Sequence, residues 1–260
     1  MKTDTLQISI IQADLIWEHP ERNREQFTTF INNIPQDTQL VVLPEMFTTG
    51  FSMTPEPLAE TMDGTTLQWM INLAAQKKIA ICGSLIIKEN GNFYNRFLFV
   101  EPEGNVTSYD KRHRFMMAGE GEKYTAGKEQ VVIDYLGWKI FPQICYDLRF
   151  PVFSRNTADY DLIIFVANWP ETRVAAWDTL LKARAIENMS YCVGVNRIGT
   201  DGSQLKYTGH SGIYNELGET HIFAKAEEGI FTTTLSKSQM LATREKLPFL
   251  RDKDRFTLLQ

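Results

Sequence analysis

Two kinds of apolar pattern alternate along the chain. Short runs rich in apolar residues occupy residues 6–12, 40–43, 79–87, 93–100, 131–135, 138–144, 161–167 and 191–196, with later ones at 211–215, 220–224 and 230–235. Runs of this length, rich in Val, Ile and Phe and bounded by turn residues, predict strands. Residues 20–34 instead place Phe27, Phe30, Ile31 and Ile34 on one helical face, with Pro20 suited to the first turn. Residues 65–77 repeat that spacing with Leu67, Met70, Ile71 and Ala74, and 173–188 reads as a third helix. Glu89-Asn90-Gly91-Asn92 is a hairpin signal between 79–87 and 93–100, and Gly137 turns 131–135 back onto 138–144. A further turn falls at Leu217-Gly218-Glu219. Helices fall into an early and a middle group, with strands in adjacent pairs between them. The pattern predicts an α/β protein in which two mixed sheets pack face to face with helices outside.

Composition narrows the possibilities. The 260 residues carry no Pro/Gly/Ser-rich linker or repeat, so 1–260 reads as a single domain, with the last ~20 residues a C-terminal extension. At 43% hydrophobic the chain supports a sizeable core. A net charge of −5 argues against a nucleic-acid or anionic-membrane partner. Three cysteines, Cys82, Cys145 and Cys192, make a disulfide framework improbable and fit a reducing cytoplasm. The N-terminus has no apolar segment of signal-peptide length, and no run is long enough to span a bilayer. The four histidines are scattered and Cys-His metal spacing is absent, so no metal or other cofactor is expected.

The chemistry concentrates at strand ends. The run 138–144 stops at Cys145, a polar turn with Asp147 and Arg149 comes next, and Pro151 suits a helix start. This predicts a thiol at a strand-to-helix corner, where helix amides favour a thiolate; the competing reading is a small apolar core residue. Glu45 comes after the apolar Val41-Val42-Leu43-Pro44, where desolvation suits a general base, against a solvated turn residue. Lys111 offers a compact positive charge for an oxyanion, against a basic surface turn. Glu120 is a further carboxylate in a loop, with Glu122 two residues on; alone it signals nothing.

In their order these segments resemble the nitrilase superfamily of carbon–nitrogen hydrolases. Leu43-Pro44-Glu45, Lys111-Arg112-His113 and Ile144-Cys145-Tyr146-Asp147 match its Glu-Lys-Cys triad, and Glu120 with Gly127 beyond it matches its second glutamate. The resemblance is strongest to bacterial omega-amidases, through Tyr-Asp-Lys-Arg-His at 109–113, Val-Ala-Asn-Trp-Pro at 166–170 and Arg-Glu-Lys at 244–246 with Phe249. One departure is Asp110, where many members carry a basic residue before the lysine.

The resemblance implies a four-layer α-β-β-α sandwich, a homodimer, and hydrolysis of the terminal amide of a short dicarboxylic acid such as 2-oxoglutaramate or 2-oxosuccinamate. It implies Glu45 as base, Cys145 as nucleophile, Lys111 and the Tyr146 backbone N–H as oxyanion donors, and Glu120 as orienting residue. Arg149, four residues past the cysteine, is the candidate for gripping the distal carboxylate, against a surface pair with Asp147. Phe47, Phe51, Trp169 and Trp177 are aromatic candidates for the pocket wall; Met116 and Met117 are loop fillers. Three rivals stay open: a nitrilase, carbamoylase or aliphatic amidase of the same superfamily; a non-catalytic binding protein; and a Cys-His hydrolase using His113.

Overall fold

A computed structural model describes residues 2–258. The first half runs β1 (Thr5–Gln12), α1 (Pro20–Asn32), β2 (Leu40–Val42), α2 (Thr65–Lys77), β3 (Ala80–Glu89), β4 (Asn92–Val100) and β5 (Val106–Asp110). The second half runs α3 (Glu120–Lys123), β6 (Ile133–Tyr135), β7 (Trp138–Ile144), α4 (Pro151–Ser154), β8 (Leu162–Ala167), α5 (Val174–Asn188) and β9 (Tyr191–Asn196). The remainder is β10 (Ile198–Thr200), β11 (Lys206–Thr208), β12 (Gly212–Tyr214), β13 (Thr220–Phe223), β14 (Gly229–Ser236) and α6 (Lys237–Lys246).

Two six-stranded sheets form, in the orders β14-β1-β2-β3-β4-β5 and β13-β12-β9-β8-β7-β6. Both are mixed. In the first, β1, β2 and β3 are parallel, while β14, β4 and β5 pair antiparallel at the flanks. In the second, β7, β8 and β9 form the parallel centre. The chain closes on itself, because β14 returns to pair with β1 from Thr5↔Ser236 to Gln12↔Gly229.

The central strands β2 and β8 are apolar throughout because each is buried on both faces. Leu40 and Val42 of β2 face the second sheet, joining Ile8, Ile10, Phe97 and Phe99 against Ile140, Ile144, Ile164, Val166 and Val193. Val41, between them, faces outward with Ile11 and Ile81 onto Phe27 and Ile31 of α1 and Met70 and Ala74 of α2. On the other side, Phe141, Ile163 and Phe165 meet Trp177, Leu181 and Ala185 of α5. These are the four layers, helix, sheet, sheet and helix. The α5 contact needs a glycine: a Cβ on Gly194 of β9 would lie 2.4 Å from a Leu181 methyl and 2.8 Å from the Trp177 ring.

The expected strands and the three helices all form, with ends moved by a residue or two at most positions. The helix expected over 20–34 stops at Asn32, so Phe30 and Ile34 end up only partly buried. Five elements had no readable pattern: β5, the one-turn α3 where a loop was expected around Glu120, the short β10–β11 ribbon and α6, the last polar on most of its faces with only Met240 buried. Among the described residues, no helix is long and apolar enough to cross a membrane.

The inter-sheet core also holds ionisable groups in neutral form. Tyr135 packs edge-on against Phe99 at 5.4 Å and donates to Gln39 O at 3.0 Å. Burial pushes its hydroxyl up to about 12, and burial raises Tyr109 of the same core and Tyr160, packed under α5, well above the usual range. The unfolded chain ionises these groups first, near pH 10. Their contribution to stability is therefore fully present below about pH 10 and is lost as pH rises toward 12. Urea midpoints measured from pH 9 to 12 should fall over that interval, and Tyr135→Phe should fall less steeply than the wild type.

Candidate active site

Four polar side chains stand just beyond the C-terminal ends of strands, at the mouth where ligands of parallel sheets collect. Glu45 lies past the end of β2, Lys111 past β5, Cys145 past β7 and Asn168 past β8. The backbone bends sharply at two of these exits. Cys145 has φ +45° and Met46, after Glu45, has φ +43°, a region costly for residues with a Cβ and often kept at functional sites. Met46 is pinned there by its N–H, which donates to Ser84 Oγ at 2.9 Å.

Glu45 and Glu120 are fully buried and Lys111 is nearly so. Lys111 Nζ donates to Glu45 Oε1 at 2.9 Å and to both Glu120 oxygens at 2.9 and 3.0 Å. Glu45 Oε1 also accepts from Asn95 Nδ2 at 2.7 Å, and Oε2 accepts from the Asn168 backbone N–H at 2.7 Å. The Phe115 backbone N–H donates to Glu120 Oε2. Glu122 is exposed, so Glu120 is the second glutamate of this cluster. Gly127, seven residues on, lies flat against the lysine's strand: its N–H donates to Lys111 O at 2.9 Å, and a Cβ would fall 2.0 Å from Asp110 O.

The electrostatics arise from two carboxylates sharing one ammonium. Burial alone would discharge Lys111, but Glu120 and Glu45 outweigh it and raise its pKa above the ordinary value. Burial raises Glu120, with Glu45 adding to the rise and Lys111 opposing it. The Cys145 thiol is pushed well above its usual range, first by burial, then by Glu45 and Glu120, with Lys111 pulling the other way. Burial and the two carboxylates thus oppose the thiolate expected at a helix start. Cys145 opens a 3₁₀ turn over Cys145–Arg149, and the one-turn α4 comes after it. Neither is long enough for an appreciable dipole.

Asp147 holds the two halves of the site together. Its Oδ2 accepts from Ile144 N at 3.0 Å and Tyr109 Oη at 2.8 Å. Its Oδ1 accepts from His113 N at 2.9 Å and lies 2.7 Å from His113 Nδ1. One buried carboxylate thus ties the lysine's loop to the cysteine's turn. His113, stacked on Phe150 at 3.8 Å, is occupied by this role and makes no hydrogen bond to Cys145. Arg149 does not pair with Asp147; it is exposed, with its guanidinium 4.9 Å from the Trp169 ring centre. Asp110 pairs with Arg96 at 2.7 Å, which offsets its charge beside the lysine.

Cys145, Lys111 and Asn168 open on a small pocket of about 70 Å³. Phe51, Tyr146, Arg149 and Trp169 line it, as do Phe115, Arg173 and Tyr207. Two of the four candidate aromatics are elsewhere. Phe47 packs edge-on against Phe27 at 5.4 Å under α1, and Trp177 sits in the layer behind Trp169 at 5.6 Å. Met116 and Met117 are exposed rather than filling space. Arg173, Asn95 and Asn168 were not singled out from the sequence. Asn168 had a signal, because it ends an apolar strand just as Glu45 and Cys145 do; Asn95 lies mid-strand and had none.

The carbon–nitrogen hydrolase family matches residues 7–245. The chain is 44% identical to the omega-amidase YafV of Yersinia enterocolitica, over 98% of this chain and 99% of that protein. It is 30% identical to the 2-oxoglutaramate amidase of Bacillus subtilis, over 94% and 96%. The crystal structure of a CN-hydrolase superfamily protein from Xanthomonas campestris, with an arsenic adduct in its active site, superposes with a TM-score of 0.97 at 41% identity, covering 99% of this chain and all of that one. The protein belongs to the carbon–nitrogen hydrolase family, within the nitrilase superfamily. It is an amidohydrolase acting on carbon–nitrogen bonds other than peptide bonds.

Asp147→Asn tests the tie between loop and turn. An amide presents only one acceptor atom where the carboxylate presents two, so at least one buried donor loses its partner. The unfolding free energy in urea should drop by about 2 kcal/mol or more.

Proposed function

We propose that the enzyme hydrolyses the terminal amide of short dicarboxylic acid monoamides, such as 2-oxoglutaramate and 2-oxosuccinamate, through a thioester on Cys145. The observation that carries this reading is a thiol beside a buried carboxylate in a pocket whose outer wall bears two guanidinium groups. Arg149 and Arg173 rest on aromatic rings and have no carboxylate partner among the described residues. A distal carboxylate supplies the missing partner, in the bidentate geometry that arginine favours.

In the proposed reaction, Cys145 Sγ attacks the amide carbon as Glu45 takes its proton. That transfer leaves the cluster with no added charge in a buried site. Lys111 and the Tyr146 N–H stabilise the oxyanion. The C–N bond breaks, ammonia leaves with the proton from Glu45, and the acyl group remains on sulfur. Glu45 then removes a proton from water, which attacks the thioester; the acid departs and the thiol is restored. Glu120 holds Lys111 in place. Phe51, whose ring centre lies 4.9 Å from Lys111 Nζ, and Trp169 form the apolar walls. The same reading makes the enzyme a cytoplasmic homodimer. Its three cysteines are free, and the exposed apolar side chains Val152, Phe249 and Phe256 line one surface groove.

Ammonia release from both substrates should be lost in Cys145→Ala, and Lys111→Met should cost about 10²–10³ in kcat, as for a lost oxyanion donor. Absence of wild-type turnover on both compounds would reject the substrate assignment. Arg149→Met and Arg173→Met should each raise KM for 2-oxoglutaramate about tenfold, the scale of one lost charge-assisted hydrogen bond, with little change for propionamide, which has no carboxylate.

A further inference from the structure

The Asn168 side chain carries an unassigned function. Its Nδ2 donates to the Glu45 backbone carbonyl at 2.6 Å and reaches Glu45 Oε2 at 3.5 Å. Both partners are acceptors only, so the nitrogen must face them and the amide orientation is fixed. The other terminal atom, the carbonyl Oδ1, is buried without any hydrogen-bond partner among the described residues. Asn168 is 5% exposed and lines the pocket, and its backbone carbonyl lies 3.9 Å from Cys145 Sγ. An orphaned acceptor is unfavourable in a fold; eight buried side-chain atoms lack a partner among the described residues, and Asn168 Oδ1 is the one on a residue that lines the pocket.

We infer that Asn168 is a catalytic residue whose side-chain carbonyl accepts an N–H from the scissile amide. This deepens the amidase reading and rests on it. The orphan lies on the residue that also supports Glu45, which in that reading delivers the proton to the departing nitrogen; the substrate NH₂ therefore belongs on this side of Cys145. The other polar groups at that end are committed. Lys111 is a donor, and both Glu45 oxygens already accept hydrogen bonds. A primary amide brings a donor to match the orphan, whereas an ester of the same acid brings none. A site that hydrogen-bonds a substrate N–H discriminates strongly against analogues lacking it.

The test compares kcat/KM for an amide and an ester sharing one acyl group, in two pairs run in parallel: 2-oxoglutaramate with the 5-methyl ester of 2-oxoglutarate, and propionamide with methyl propionate. Asn168→Ala should lose about tenfold more on the amide than on the ester, the scale of one hydrogen bond. Asn95→Ala removes a donor to Glu45 but no orphan acceptor, so it should slow both partners of a pair alike. Equal losses in Asn168→Ala would reduce Asn168 to a support for Glu45 and overturn the inference. If the alanine variant does not fold, Asn168→Ser gives the same comparison. Turnover of the second pair alone would discard the dicarboxylate substrate while still deciding the role of Asn168. Turnover of neither pair by the wild type would overturn both readings.

Discussion

The site depends on one buried charge imbalance: two carboxylates, Glu45 and Glu120, share the single ammonium of Lys111 at the floor of the pocket. Desolvating three charges is unfavourable, and only their mutual attraction and further hydrogen bonds offset it. The cluster is one negative charge in excess. A thiolate beside it would add a second, so Cys145 stays a thiol until its proton has somewhere to go. In the proposed reaction that destination is Glu45, and the total charge of the cluster is unchanged when the transfer takes place. The imbalance therefore keeps the nucleophile protonated at rest and sets the direction of the first proton transfer.

The rest of the local architecture holds that cluster in position. Asn95 and Asn168 supply donors to Glu45 from opposite sheets, β4 of the first and the exit of β8 of the second. Asp147 links the Lys111 loop to the Cys145 turn through Ile144, His113 and Tyr109. Arg96 offsets Asp110, the one residue that breaks the usual charge pattern before the lysine. The Trp169 backbone is fixed as well: its N–H donates to Asn196 Oδ1 at 2.8 Å and its carbonyl accepts from Asn196 Nδ2 at 2.9 Å. A pocket wall built on such contacts presents its aromatic ring and Arg149 in a defined place.

Much of this is legible in the chain. The wholly apolar strands identify positions buried on both faces, and the abrupt change from apolar to polar at Glu45 and Cys145 marks strand exits where chemistry is placed. Asn168 carries the same mark, but asparagine is so common in turns that the mark has little weight there. Lys111 and Glu120 are identified by their order relative to known relatives rather than by local pattern, since a basic run and a loop glutamate look like solvated surface. His113 draws attention as the histidine nearest the lysine, yet it is bound to Asp147 and stacked on Phe150. Phe47 and Trp177 are indistinguishable by sequence from Phe51 and Trp169, because an aromatic side chain suits a core and a pocket equally well.

The sequence by itself determined the layers, through the alternation of short apolar runs with helical faces, and the identity of the groups that reach the strand ends. Those are local properties, set by side-chain period and by where each run stops. Only the tertiary structure decided which of those ends meet. It brought residues 45, 95, 111, 120, 145 and 168 within a few hydrogen bonds of one another. It also decided that burial and two carboxylates hold the thiol's pKa up and that, among the described residues, one asparagine carbonyl has no partner. Burial, charge sharing and the pairing of polar atoms are properties of a three-dimensional environment, and no stretch of this chain contains them.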